Sequence, residues 1–297
     1  MKVLFRIYFS YKGRRSSIFD LSNLNKIKMK KICLFRSFAL LTVISFLSMS
    51  CSSNDDSNPD PAEPTILTNG LVAWYTFNGN ANDLSGNNLN ANVVGATLTA
   101  DKNNGVSKAY DFDVANASFG NQNDEIFIPY SPLMNVSNIT VSVWLNPRSY
   151  YWSGNPSSST IINRFQYGYS TPNGQTWGII FDQTSVTGFI VGTDGTGSSD
   201  AVANSPLALN QWQNIVMTYN GIQIKLYING VLKATTNYSG AMNTLGNSGI
   251  SIGESNQANG YWNHTDGKID NVGIWNRELT LSEIQQLYNS SSINPGG

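Results

Sequence analysis

The chain has 297 residues, long enough for one large β domain or two small ones. Its formal net charge of −1 hides a split, with ten Lys/Arg against one Asp in the first 51 residues and eight against 18 Asp/Glu after them. The acidic remainder excludes the clustered cationic surface that nucleic acid requires, and the two cysteines, Cys33 and Cys51, leave everything after them without a disulfide or a thiolate metal site.

Residues 1–28 have the pattern of neither a signal nor a domain. The order expected of an export signal, basic then apolar, begins at Met29. The stretch from Met29 to Arg36 is basic, and Ser37 to Leu47 is an apolar run too short to span a bilayer. Ser48-Met49-Ser50-Cys51 follows, small residues ahead of a cysteine. This resembles a bacterial lipoprotein signal over 29–50, with Cys51 as the lipidated first residue of the mature chain. Leu47 departs from the usual pattern by one place. Residues 51–66 carry Pro59, Pro61 and Pro64 among Ser, Asn, Asp and Glu, so they cannot pack a core and read as a tether. A Ser/Asp-rich start after the cysteine resembles the surface-export tag of Bacteroidetes-type bacteria. The expected location is therefore the outer membrane, lipid-anchored and facing outward, with the anchor as the sole membrane contact.

From Leu67 the period is two. Ile139, Val141, Val143 and Leu145 alternate with Thr140, Ser142 and Trp144, and Ile222, Ile224, Leu226 and Ile228 alternate with Gln223, Lys225 and Tyr227. Such alternation is what a half-buried sheet requires. Asn220-Gly221 and Asn229-Gly230 each supply two residues suited to positive φ, as a type I′ hairpin turn demands. They predict a meander over about 212–219, 222–228 and 231–236. Further strands are expected near 71–77, 107–113, 125–129, 159–164, 176–182, 187–192, 248–253 and 267–276. This density of short strands means an all-β sandwich or barrel over 67–291, followed by a tail at 292–297. One helix is predicted near the end. Thr280 and Glu283 have capping-box spacing, and Leu281, Ile284, Leu287 and Tyr288 share a face.

Five phrases stand in one order along the chain. They are the run from Gly70 to Asp83 (GLVAWYTFNGNAND), Thr140 to Pro147 (TVSVWLNP), Gln211 to Val216 with Tyr219-Asn220-Gly221, Tyr227-Ile228-Asn229-Gly230, and Gly267 to Thr280 (GKIDNVGIWNRELT). Together they resemble bacterial laminin-G-like domains of the concanavalin A-like jelly-roll class. The resemblance implies an antiparallel β-sandwich with a short C-terminal helix. It also implies a structural Ca²⁺ held between the first loop and the last strand, here Asp83 and Asp270, with Asn78 in the same oxygen-rich loop. Asn271 stands where the family often has a second acid. Calcium wants six to eight oxygens, which this loop could help provide. Turn formation explains the same residues equally well, because Asn and Asp bond their own backbone.

Enzymes share this fold, but a retaining glycosidase needs two carboxylates about 5 Å apart. The Glu residues after Cys51 are scattered, and Asp124-Glu125 are neighbours that face opposite ways on a strand. The one histidine, His264, lies near Asp266 in a Gly/Asn-rich segment without a nucleophile-elbow phrase, and reads as a solvated loop residue. Two aromatic loops suit sugar instead, Tyr150-Tyr151-Trp152 and Tyr261-Trp262. Their rings can stack on pyranose faces while Asn and Asp bond hydroxyls. Trp74, Trp144, Trp212 and Trp275 read as core. The sequence therefore points to a surface-anchored, non-catalytic module that binds a glycan through Tyr151, Trp152, Tyr261 and Trp262. A protein-binding or adhesive module is the alternative, and a jelly-roll hydrolase or lyase is the third reading.

Overall fold

The computed structural model describes residues 67–114, 124–150, 158–165, 175–193, 198–244, 247–255 and 263–290. The expected signal, Cys51, the expected tether and tail, and the aromatic quartet Tyr151, Trp152, Tyr261 and Trp262 lie outside these residues.

The described elements in chain order are β1 (Leu71–Tyr75), β2 (Asn92–Val94), β3 (Thr97–Thr99), β4 (Ala109–Phe112), β5 (Glu125–Ile128), a 3₁₀ turn (Pro132–Met134), β6 (Ile139–Pro147), β7 (Ser159–Phe165), β8 (Gln175–Phe181), β9 (Val186–Val191), β10 (Ser198–Ala203), β11 (Gln213–Tyr219), β12 (Gln223–Ile228), β13 (Val231–Asn237), β14 (Ile250–Ile252), β15 (Gly267–Trp275) and α1 (Leu281–Asn289). Among the described residues, one sheet runs β13-β12-β11-β6-β15-β4-β3, with β1 also paired to β15. The other runs β10-β9-β8-β7-β14-β5-β2. All the pairings are antiparallel. The two sheets bury a common core that includes Val141, Val143 and Leu145 from one and Ile162, Ile179 and Ile190 from the other. This is the expected sandwich.

The alternation in β6 does not leave its second face wet. Thr140, Ser142 and Trp144 are buried along with the apolar set. The reason is α1, which covers the outer face of that sheet. Trp74, Val216, Tyr227 and Trp275 form a second apolar cluster with Leu279, Ile284 and Leu287. The helix starts as its sequence predicts. Thr280 Oγ1 accepts from the Glu283 amide at 3.3 Å, and the Glu283 carboxylate takes the Thr280 amide at 2.7 Å. Ile284 and Leu287 face inward, Leu281 stays exposed, and the Tyr288 ring stacks on Trp144 with centroids 5.9 Å apart. Thr280→Ala should cost about 1 kcal/mol through the lost cap, measured as a lower urea midpoint with unchanged slope.

The two hairpins differ. Asn229 and Gly230 both have positive φ (52° and 71°), as a I′ turn demands. At the other, Asn220 pairs with Gln223, so the loop residues are Gly221 and Ile222, and only Gly221 (87°) is left-handed. The Asn220 side chain explains the shift, because its Oδ1 accepts from both Ile222 N and Gln223 N and holds its own backbone in the strand. Trp212 is also corrected. It precedes β11 and is only half-buried, while Trp177 on β8 is core.

Candidate functional site

Pairing places three loops at one end of the sandwich. Gly267, which opens β15, sits opposite both Phe112 and Pro147, the ends of β4 and β6. The connections after β4, β6 and β14 therefore leave from the same rim. The last two carry the aromatic phrases.

Their described stems are fastened together. The Arg148 guanidinium donates from Nε to Asp266 Oδ1 at 2.7 Å, from Nη1 to Asp111 Oδ1 at 2.6 Å, and from Nη2 to the Phe112 carbonyl at 2.5 Å. One side chain thus joins all three stems. Burial disfavours its charge, but the bonds to Asp266 and Asp111 outweigh that and hold its pKa above the ordinary arginine value. Asn263 Nδ2 donates to Ser158 Oγ at 3.3 Å, which links the β14–β15 stem to the β6–β7 stem directly. Tyr150 is an anchor and not part of a platform. Its hydroxyl donates to the Leu207 carbonyl at 2.9 Å, and its own carbonyl accepts from Ser159 Oγ at 2.9 Å.

The neck of the Tyr261-Trp262 loop is narrow. Ser255 N donates to the Asn263 carbonyl at 3.2 Å, and Thr265 N donates to Gly253 O at 2.7 Å. Between these rungs His264 Nδ1 lies 3.4 Å from Glu254 Oε2, and both side chains are buried. His264 is therefore not the solvated loop residue its composition suggests. Asp266, two residues further on, is bonded to Arg148, and the carboxylate beside His264 is that of Glu254. Gly253 has φ 84°, and a Cβ there would run into the Phe112 ring, so only glycine lets the chain turn into the neck. Asp124 and Glu125 do diverge: Asp124 takes the Asp113 amide at 2.8 Å, while the buried Glu125 accepts from Ser251 Oγ at 2.5 Å.

Of the residues expected to hold calcium, Asp83 and Asp270 are both bonded to protein donors. Asp83 Oδ1 accepts from Trp74 N at 3.0 Å and Ser85 N at 2.9 Å, and Oδ2 accepts from Ser85 Oγ at 2.8 Å and Leu89 N at 3.0 Å. These four donors fill the acceptor sites of one carboxylate. They seal the open side of β1, helped by Asn87 Nδ2 on the Leu71 and Val72 carbonyls. Asp270 instead accepts from the backbone and side-chain amides of Asn271 at 2.7 and 2.8 Å. Burial disfavours its charge most, while Lys102 and Lys108 favour that charge and Asp101 opposes it. Among the described residues, no three His, Cys, Asp or Glu side chains form a group that could hold a metal ion.

The Arg148 fastening is not legible in the sequence. Its partners lie 37 and 118 residues away, and no local spacing marks such a contact.

The chain is similar in fold to several solved domains. The binding domain of Paraclostridial Mosquitocidal Protein 1 matches 76% of this chain at 22% identity and TM-score 0.59. The binding domain of Botulinum Neurotoxin DC, in complex with SialylT, matches 76% at 17% identity and TM-score 0.58. The chain spans about half the length of these two, 53% and 52%. Domain 4 of AbnA, a GH43 extracellular arabinanase from Geobacillus stearothermophilus in complex with arabinotriose, matches 74% of this chain and 98% of its own length at 20% identity and TM-score 0.56. None of the curated proteins matches the chain. A laminin-G family model, described as the concanavalin A-like lectin/glucanases superfamily, matches residues 119–285. That is more than half of the chain, and with the two-sheet topology it places the protein in the laminin-G-like family of the concanavalin A-like lectin/glucanase superfamily.

Proposed function

We propose that this domain is a non-catalytic module that binds a glycan at the three-loop end, with Tyr151, Trp152, Tyr261 and Trp262 as the contacting aromatics. The observation that carries this reading is the shared root of the two aromatic loops. Arg148 and the Asn263–Ser158 bond hold their stems side by side, so aromatics on both loops start from neighbouring fixed points. Preorganised stems lower the ordering cost of binding. The complex of the similar arabinanase domain with arabinotriose supports a sugar ligand for this fold.

A glycan array followed by calorimetry on the purified protein tests it. Trp152→Ala and Trp262→Ala should each weaken the best polysaccharide ligand at least about tenfold, as expected of a stacking aromatic worth more than about 1.4 kcal/mol. The melting temperature should stay unchanged. Wild-type protein that binds no polysaccharide, yet still adheres to a protein-coated surface, would replace this reading with the adhesive one.

A further inference from the structure

A cavity of about 600 Å³ lies at the opposite end of the sandwich. Its walls are the β5–β6 connection at Asn135–Asn138, the Gly221 turn, Thr193 and the segment Ser239–Thr244. The volume falls within the range of small-ligand sites. Among the described residues, no charged side chain lines it. Ser137, Asn138, Thr193 and Ser239 offer hydroxyls and an amide, Val136 offers apolar surface, and the core residue Met242 closes the floor.

The walls are held in place from behind. Arg164 on β7 is fully buried, and among the described residues its guanidinium bonds neutral oxygens. Nη1 donates to the Met134 carbonyl and Nη2 to Asn135 Oδ1, both at 2.6 Å, and Nε donates to Ser248 O at 3.2 Å. Asn135 in turn donates from Nδ2 to the Tyr130 hydroxyl at 3.0 Å. Burying a cation without a counter-charge is costly, and here it fixes the connection that forms one wall. The other wall is tied to the sheet by Thr193 N on Ala241 O at 3.1 Å and Asn243 N on Val191 O at 2.7 Å. The Tyr219 hydroxyl donates to the Gly240 carbonyl from beneath.

We infer that this cavity is a second ligand site, distinct from the three-loop end, and that it takes an uncharged polyhydroxylated ligand such as the end of a neutral oligosaccharide. Hydroxyl and amide groups on rigid walls can exchange hydrogen bonds with sugar hydroxyls, and the half-buried Val136 can meet the C–H face of a ring. An anionic sugar would find no cationic partner among the described walls, because the bonds of Arg164 run to the wall itself. The inference stands on this cavity alone and does not need the three-loop reading.

The test is an NMR titration of the isotope-labelled protein with maltotriose, cellotriose, xylotriose and arabinotriose, with trigalacturonate as the charged probe. At least one neutral trisaccharide should give saturable shifts at the backbone amides of Ser137, Thr193 and Ala241. Ala241→Trp, at an exposed wall position, should weaken that response at least tenfold. Ser137→Trp blocks the cavity from the opposite wall and should do the same if Ala241→Trp fails to fold. Trp152→Ala should leave it unchanged, which separates this site from the other end. No shift with any neutral probe, shifts that survive both blocking variants, or an equal response to trigalacturonate would overturn the assignment.

Discussion

Asp83→Ala should destabilise the domain by about 2–4 kcal/mol, and by the same amount in calcium as in chelator. Three backbone amides and one hydroxyl end on this carboxylate. Hydrogen bonds to a charged group contribute about 1.5–3 kcal/mol each where they are buried, but the four share one partially exposed acceptor and are not additive. The alanine variant leaves the amides of Trp74, Ser85 and Leu89 without their acceptor. It also releases the segment that covers the open edge of β1, the strand that carries Trp74 into the helix-covered cluster. Asp83→Asn keeps an acceptor oxygen and should lose about half as much. Urea unfolding of wild type and both variants, each with calcium and with chelator, measures this. A wild type that weakens in chelator down to the level of Asp83→Ala would show that an ion, and not the amides, is what Asp83 serves.

The same residues show why some of this molecule can be read from its sequence and some cannot. β6 and β12 announce themselves because packing at the sheet faces repeats every second residue. Thr280 and Glu283 announce the helix because a capping box is a local contact, three residues long. β2 and β3 leave no such mark for the converse reason: each is three residues, and their side chains are mostly exposed, so no period can develop. β10 (Ser198–Ala203) is silent too, because an edge strand that reads SSDAVA carries turn-like composition. Asp83 stands out in the sequence as a residue with a task, but composition does not separate an ion ligand from an amide acceptor. That choice depends on where Trp74 N and Leu89 N point. Arg148 and Arg164 carry no signal at all, since an arginine gives no local sign of which distant loop it will hold.

Asp270→Asn should leave the domain about as stable as wild type near pH 4 and raise its melting temperature by several degrees at pH 9. Asp270 is 1% exposed on β15, beneath the helix-covered face. Burial pushes its pKa from 3.8 up to about 8, against the opposing pull of the Asn271 amide and Lys102. The sign follows from proton counts. Between these two values the folded chain keeps a proton that the unfolded chain has lost, so stability is full below pH 3.8 and falls as pH rises through about 8. Asparagine mimics the protonated acid and can still accept from the Asn271 amide, so it removes the charging cost without removing that bond. Each tenfold difference in proton affinity between the folded and unfolded chain corresponds to about 1.4 kcal/mol, and each kcal/mol to about 2–4 °C in a domain of this size, so thermal melts across pH 4–9 have ample range. A variant less stable than wild type at pH 9 would mean that the ionised carboxylate is wanted in the fold, held by Lys102 or by a bound cation. A repeat melt in chelator then separates the two, because only the cation can be stripped away. Asp270 therefore tests the calcium expectation from the opposite side to Asp83: an ion would have to displace four donors at one carboxylate and a proton at the other.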